Sequence, residues 1–90
     1  MIEPILIYPA LYVLKLTDDC YYIGMTMNLN IRLAQHMIGK GAKFTRLHKP
    51  IELIKVIYPA IDNDIENNIT REYIDKYGSD KVKGGSYCRC

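Results

Sequence analysis

The chain has 90 residues, a net charge of +2 and 49 % hydrophobic residues, a composition typical of one small folded domain spanning 1–90 rather than of a disordered chain. Its apolar runs, such as ILIY and LYVL, are far shorter than the roughly 20 residues that span a bilayer, and no basic signal-peptide start precedes them, so we expect no membrane segment and a cytoplasmic or nuclear location. Three cysteines, an odd number, argue against a secreted disulfide framework.

A β-hairpin is predicted at 11–24. The segments LYVLKL (11–16) and CYYIG (20–24) are rich in the β-branched, aromatic and aliphatic residues that favour strands. The polar residues Thr17, Asp18 and Asp19 lie between them and predict a short turn. Gly24 ends the second strand.

A helix is predicted next, from a cap at Thr26 or Asn28 to a stop at Gly39. Its apolar positions recur every four residues, at Leu29, Leu33 and Met37. Arg32 and His36 lie on another face, and because they are four residues apart their side chains stack one turn over the next. This helix therefore presents a cation and an imidazole on one surface.

The segment GKGAKFTRLHKP (39–50) has two glycines, a proline and no sustained period, so it is predicted as a loop or broken element. Between residues 32 and 55 there are six cations and one anion. Such a cationic strip is expected on a surface that meets phosphates. Charge alone favours a solvated, lysine-rich loop equally well.

A third strand is predicted over IELIKVI (51–57) and a second helix after Pro59. Asp62 or Asp64 can cap this helix and Gly78 ends it. Its apolar stripe has a spacing of four, with Glu66 on the edge, and consists of Ile65, Ile69, Tyr73 and Tyr77.

The tail KVKGGSYCRC contains paired glycines and predicts an extended or irregular closing segment. We interpret Cys88 and Cys90 as free thiols. Two ligands do not complete a tetrahedral zinc site, so a zinc site here would require a natural chain that continues past residue 90.

Several of these segments, in this order and at this spacing, closely resemble the GIY-YIG nuclease family. They are LYV at 11–13, YIG at 22–24, T-x-N-L-x-x-R-L-x-x-H at 26–36, GKGAKFTR at 39–46, Glu66, and KVKGGSY at 81–87. The first triplet departs from the family pattern, because it reads Ala-Leu-Tyr at 10–12. Met25 stands where some relatives place a lysine, and the late asparagine of other members has no match here.

The resemblance implies a small α/β fold, with a mainly antiparallel three-stranded sheet flanked by helices. It also implies a metal-dependent DNA endonuclease that hydrolyses phosphodiester bonds with one Mg²⁺ or Mn²⁺ ion. Glu66 is then the sole protein ligand of the metal, which suits Mg²⁺ because that ion keeps several waters. The family spans repair, recombination, homing and restriction, so it does not define the pathway, the DNA structure cut or the oligomeric state.

The resemblance assigns a role to each candidate residue. Tyr22 is the general base, Arg32 stabilises the phosphate, and His36 moves a proton or orients the nucleophile. Tyr12 positions the phosphate or the water. A phenol has a pKa of about 10, so Tyr22 needs help from Arg32, the metal or His36. Flanking phosphates are expected to bind four residues, namely Lys40, Lys43, Thr45 and Arg46.

Other interpretations stay open. The domain can bind DNA without cutting it, act only as the nuclease subunit of a larger complex, or rely on a partner protein for targeting. A tyrosine can also act as a covalent nucleophile. Each candidate residue further has a purely structural reading: strand packing for the tyrosines, a surface salt bridge for Arg32, an inert helical imidazole for His36 and a helix-start carboxylate for Glu66.

Overall fold

The computed structural model describes residues 7–87. In this part of the chain the strands are β1 (Ala10–Leu16), β2 (Tyr21–Thr26), β3 (Pro50–Ile57) and β4 (Val82–Gly84). The helices are α1 (Leu29–Met37), α2 (Lys43–Leu47) and α3 (Ile65–Tyr77). The strands form one sheet in the order β3-β1-β2-β4.

The sheet has four strands, so the prediction of three was wrong. β1 pairs antiparallel with both β2 and β3, as expected for a mainly antiparallel sheet, whereas β4 pairs parallel with β2. The sequence did not reveal β4, because a strand of only three residues, the last of them a glycine, is too short to show an alternating pattern. The mixed α/β class is confirmed.

The predicted hairpin is present. Its turn at Thr17–Asp19 is not a regular 3₁₀ helix, because Asp18 and Asp19 both have positive φ, a conformation that aspartate tolerates better than most residues. The register pairs Tyr12 with Gly24. The sequence thus places the first tyrosine of the motif directly opposite the glycine of YIG.

Each face of the sheet carries its own apolar cluster, because successive side chains of a strand point to opposite faces. Beneath α1 and α2 lie Tyr12, Leu14, Leu16 and Tyr22, and Phe44 of α2 packs against them. Beneath α3 lie Leu11, Val13, Tyr21, Ile23 and Val82, packed against Ile65 and Ile69. We call these the α1 face and the α3 face. Each aliphatic side chain that is fully buried there contributes about 1.5 to 3 kcal/mol.

Of the two predicted caps of α1, Thr26 and Asn28, Asn28 occupies the N-cap position, and its side-chain oxygen accepts a hydrogen bond from the Ile31 backbone N–H at 3.2 Å. The helix ends at Met37, and Gly39 has a φ of 79° that redirects the chain. The following segment contains the helix α2, where only a loop or broken element was expected. The buried Phe44 anchors this short helix to the α1 face.

The third strand and second long helix are confirmed. Of the two candidate caps, Asp64 occupies the N-cap position of α3 but its side chain makes no capping hydrogen bond, whereas Asp62 Oδ1 accepts from the Asp64 backbone N–H at 3.0 Å. Gly78, with a φ of 99°, follows the last turn of α3. None of the helices within 7–87 has the length and apolar character that a bilayer crossing requires. The Cys-x-Cys pair of Cys88 and Cys90 lies outside the described residues.

We predict that Gly84→Ala destabilises the fold by preventing close pairing of β4 with β2. An added methyl group would lie 2.6 Å from Thr70 Oγ1 and 2.7 Å from the Ile23 carbonyl oxygen. Thr70 cannot easily move, since it is buried and its hydroxyl donates to the Glu66 carbonyl at 2.7 Å. The free energy of unfolding should fall by about 1 to 3 kcal/mol, as measured by denaturant unfolding.

The control for this variant is Ser79→Ala, which changes an exposed side chain near the same strand. Its effect should stay within about 0.5 kcal/mol. Equal stability of Gly84→Ala and the wild-type protein would contradict the described packing of β4.

Candidate functional site

Tyr12 lies at the centre of the candidate site. Its side chain is 1 % exposed, and the ring extends across the backbone of Gly24 on the neighbouring strand. A Cβ at Gly24 would lie 2.3 Å from the Tyr12 hydroxyl oxygen. The glycine of YIG is therefore required because the phenol of the first triplet occupies the space where any side chain would begin.

His36 lies in the last turn of α1 and is also 1 % exposed. Its Nε2 is 2.7 Å from the Tyr12 hydroxyl and its Nδ1 is 2.9 Å from the Thr45 hydroxyl. Burial, together with the charge of Arg32, lowers the pKa of His36 to about 4. His36 is therefore neutral at pH 7. Its hydrogen bond to Tyr12 was not predicted from the sequence.

Four of the predicted residues act on the Tyr12 phenol. Burial raises the pKa of Tyr12 to about 12, and the charges of Tyr22 and Glu66 act in the same direction. A hydrogen bond from Arg32 and its positive charge act in the opposite direction. Tyr12 is therefore protonated at neutral pH. The effects also show that Tyr22, Arg32, His36 and Glu66 all lie close enough to interact with one phenol.

Tyr22 lies beside Tyr12 on the α1 face. Its ring centroid is 6.3 Å from that of Tyr12 and 5.2 Å from that of His36, and both ring pairs are tilted. The side chain is 8 % exposed, more than that of Tyr12. The predicted hairpin implied that the two tyrosines would be neighbours, and the structure confirms it.

Arg32 lies one turn before His36 on α1, as the spacing predicted. Besides its bond to Tyr12, its guanidinium donates to the Gln35 side-chain oxygen at 3.0 Å. Gln35 was missed by the sequence analysis, although its spacing of three from Arg32 is that of a helical neighbour. These named partners of Arg32 are uncharged, so its positive charge is available to an anion.

Glu66 lies in the first turn of α3 and is half-buried. Burial raises the pKa of its carboxyl group, while a hydrogen bond from the Gly85 backbone N–H lowers it. A half-buried carboxylate gains from a nearby cation, because burial penalises its charged form. Glu66 therefore suits a divalent metal ion. No cluster of three or more metal-ligating side chains occurs in residues 7–87.

The KVKGGSY segment supports Glu66 in a way that the sequence did not reveal. Gly85 has a φ of 50° and approaches the first turn of α3 so closely that a Cβ would lie 2.2 Å from Asn67 Oδ1. The Asn67 side chain accepts from the Ser86 backbone N–H at 2.8 Å and donates to the Ser86 hydroxyl at 3.0 Å. This segment therefore fixes the chain beside the carboxylate.

The predicted phosphate-binding residues divide into two groups. Lys40, Lys43 and Arg46 are exposed, as a phosphate contact requires. Thr45 is 1 % exposed and its hydroxyl is hydrogen-bonded to His36 and to the Ala42 carbonyl. The structure thus contradicts the assignment of Thr45 to a phosphate, because its side chain is buried against the imidazole.

Comparison with known proteins identifies the class to which this site belongs. A family model described as the GIY-YIG catalytic domain matches residues 8–83. The chain therefore belongs to the GIY-YIG family, a class of nuclease-type hydrolases that act on DNA, and the resemblance seen in the sequence is confirmed.

Among particular relatives, the UPF0213 protein of Streptococcus pneumoniae R6 is 52 % identical over 44 residues, which cover 49 % of this chain and 44 % of that protein. UPF0213 protein YazA of Bacillus subtilis is 46 % identical over 48 % of this chain and 43 % of its own. These two matches thus span less than half of each relative. The UPF0213 protein of Staphylococcus haemolyticus is 36 % identical over 69 % of this chain and 72 % of its own. No solved structure matches the chain significantly.

We predict that His36 stays neutral down to about pH 5 and titrates near pH 4. An unfolded histidine has a pKa of about 6.5, so the unfolded chain binds more protons than the folded chain between these values. The contribution of His36 to stability is complete above about pH 6.5 and is lost as the pH falls towards 4. NMR titration of the ring measures the midpoint directly.

The variant His48→Asn removes the only other histidine, so the ring signal that remains in its NMR spectrum belongs to His36. A midpoint at or above 6.5, the value of an ordinary histidine, would contradict the burial described for His36.

Proposed function

We propose that this domain is a metal-dependent DNA endonuclease that hydrolyses phosphodiester bonds. The observation that supports this proposal is the convergence of Tyr22, Arg32, His36 and Glu66 on the buried phenol of Tyr12. These residues come from two strands and two helices that are far apart in the sequence. Structural packing alone does not require a guanidinium and a carboxylate beside the same buried phenol.

Arg32 is proposed to bind the scissile phosphate. Phosphodiester hydrolysis builds negative charge on the phosphoryl oxygens, and a guanidinium offers a planar set of donors that keeps its charge at any physiological pH. The described partners of Arg32 are the neutral Tyr12 and Gln35. Its charge is therefore directed to the substrate rather than to an internal carboxylate.

Tyr22 is proposed as the general base that takes a proton from the attacking water. Tyr12 is poorly suited to that role, because burial raises its pKa to about 12 and its hydroxyl is bonded to His36. Tyr22 is the more exposed of the two phenols. Tyr12 then has a positioning role in the site.

Glu66 is proposed to hold one Mg²⁺ or Mn²⁺ ion. A single carboxylate is sufficient for Mg²⁺, because this ion keeps several waters and takes further ligands from a substrate phosphate. Bound there, the ion would supply Lewis-acid chemistry that neutralises charge on the phosphate. The hydrogen bond from Gly85 and the half-buried position keep the carboxylate oriented for such a ligand.

The exposed cations Lys40, Lys43 and Arg46 are proposed to bind phosphates that flank the cleaved bond. Contacts of this kind carry no base information, so the domain is expected to recognise DNA shape or to rely on a targeting partner protein. Cleavage in repair or recombination is compatible with either. A module that binds DNA without cutting, or a subunit active only with a partner, remains the alternative that the experiments below decide.

We predict that Glu66→Gln abolishes metal-dependent cleavage while leaving the fold intact. Labelled linear, flapped and branched DNA is incubated with the protein and Mg²⁺ or Mn²⁺, and products are resolved on gels. The matched control is Glu72→Gln, which makes the same change at an exposed position on the same helix. Glu72→Gln should cleave at the wild-type rate, whereas Glu66→Gln should fall to background.

Three outcomes separate the alternatives. Gel shifts without cutting by the wild-type protein would support the binding module, and cutting that appears only with an added partner would support the subunit. A detergent-stable protein–DNA adduct would identify a covalent tyrosine. Undiminished cleavage by Glu66→Gln would refute the metal role of Glu66.

We predict that the double variant Lys43→Ala/Arg46→Ala binds DNA more weakly and with a smaller salt dependence. Each lost phosphate contact should reduce the slope of log affinity against log salt by about 1. The control Lys76→Ala removes an exposed cation from α3, on the other face of the sheet. Fluorescence anisotropy at several salt concentrations measures both slopes, and equal slopes for the two variants would count against this surface.

A further inference from the structure

A buried chain of hydrogen bonds behind the site has a defined direction. Thr45 Oγ1 lies 2.8 Å from the Ala42 carbonyl oxygen and 2.9 Å from His36 Nδ1. A carbonyl oxygen only accepts, so the single hydroxyl proton of Thr45 is donated to Ala42. Thr45 Oγ1 is then an acceptor towards His36, and Nδ1 must carry the proton of the neutral imidazole.

The same reasoning shows which atom donates in the hydrogen bond between Tyr12 and His36. An uncharged imidazole protonated at Nδ1 has a bare Nε2, which can only accept. The Tyr12 hydroxyl lies 2.7 Å from this nitrogen, so its proton points inward to His36. The Tyr12 oxygen therefore faces the site with lone pairs only. It accepts the hydrogen bond from Arg32 and can accept another from water, but it cannot donate to a phosphate oxygen.

Close packing leaves only a small part of this chain of hydrogen bonds accessible to solvent. Tyr12, His36 and Thr45 are each 1 % exposed. A Cβ at Gly41 would lie 2.2 Å from His36 Nδ1, so the backbone that leads into α2 rests directly on the imidazole. In the described part of the chain, no buried side-chain nitrogen or oxygen lacks a hydrogen-bond partner. The protein itself therefore determines the orientation of the His36 proton.

We propose that Thr45 is a positioning residue that fixes the Nδ1-protonated tautomer of His36 and thereby turns the Tyr12 hydroxyl proton away from the substrate. The catalytic consequence rests on the nuclease function proposed above. In that reaction Tyr12 would accept a hydrogen bond from the attacking water, and it would not donate one to the phosphate. The role of Thr45 also explains why the GKGAKFTR segment contributes a buried threonine in place of the phosphate contact expected from the sequence.

The tautomer is measured in the free protein, without DNA or metal. Long-range ¹H–¹⁵N correlation spectra distinguish a protonated Nδ1 from a protonated Nε2. We expect the Nδ1-protonated form in the wild-type protein at pH 7. In Thr45→Val, which has nearly the same shape but no hydroxyl, we expect the Nε2-protonated form to become populated. A wild-type ring protonated at Nε2 would overturn the proposal outright.

Three further variants separate the hydroxyl from packing. Thr45→Ser restores the hydroxyl and should restore the wild-type tautomer. Thr70→Val removes another fully buried threonine hydroxyl, on α3, and should leave the His36 signals unchanged. Tyr12→Phe keeps Thr45 and should keep Nδ1 protonated. This variant tests the proposal even where Thr45→Val does not fold. If Tyr12→Phe lost the Nδ1-protonated form of His36, Tyr12 rather than Thr45 would determine the tautomer.

Cleavage kinetics test the consequence separately. Thr45→Val should lower kcat by about 100-fold, the loss expected when a reacting group is misplaced, with little change in KM, and Thr45→Ser should recover most of it. A protein that cuts no DNA but shows the predicted tautomers would refute the nuclease function and leave the role of Thr45 in the tautomer intact. A protein that cuts DNA equally well with valine at this position would refute the positioning role alone.

Discussion

The rest of the site depends on the approach of the Tyr12 ring to the backbone of Gly24. Only a residue without a side chain leaves room for a phenol whose hydroxyl would otherwise lie 2.3 Å from a Cβ. This approach allows the hydroxyl to reach His36 at 2.7 Å, and it thereby ties the hairpin to α1. A buried, hydrogen-bonded imidazole in turn orders the chain around Gly41 and Thr45. Gly24 and Tyr12 therefore depend on each other, because the ring can reach His36 only where the neighbouring strand has no side chain.

The sheet explains how residues from its two faces come to act on one phenol. Tyr12 and Tyr22 belong to the α1 face, whereas α3, which carries Glu66, packs on the other face. Glu66 nevertheless influences Tyr12, because it lies in the first turn of α3 beside Gly85, which follows β4. β4 and its turn therefore position the carboxylate. A three-stranded sheet would lack that support.

Sequence patterns predicted the parts of the structure that short-range rules govern. The hairpin, the Asn28 cap, and the shared face of Arg32 and His36 follow from alternation, capping and helical spacing. The parallel pairing of β4 and the burial of Thr45 depend on contacts distant in the sequence, so no local period reveals them. The cations around Thr45 suggested a phosphate contact. Gly41 and Phe44, in the same segment, were the residues that indicated packing against the core.

The charges of the site favour two ligands of opposite sign. Burial keeps Tyr12 protonated and His36 neutral at pH 7, so the interior of the site carries no charge of its own. Its boundary has one guanidinium with neutral partners and one half-buried carboxylate whose charged form is penalised by burial. The first is stabilised by an anion and the second by a cation. A phosphate with its bound divalent metal supplies both at once, which is the combination of ligands that the proposed metal-dependent nuclease function requires.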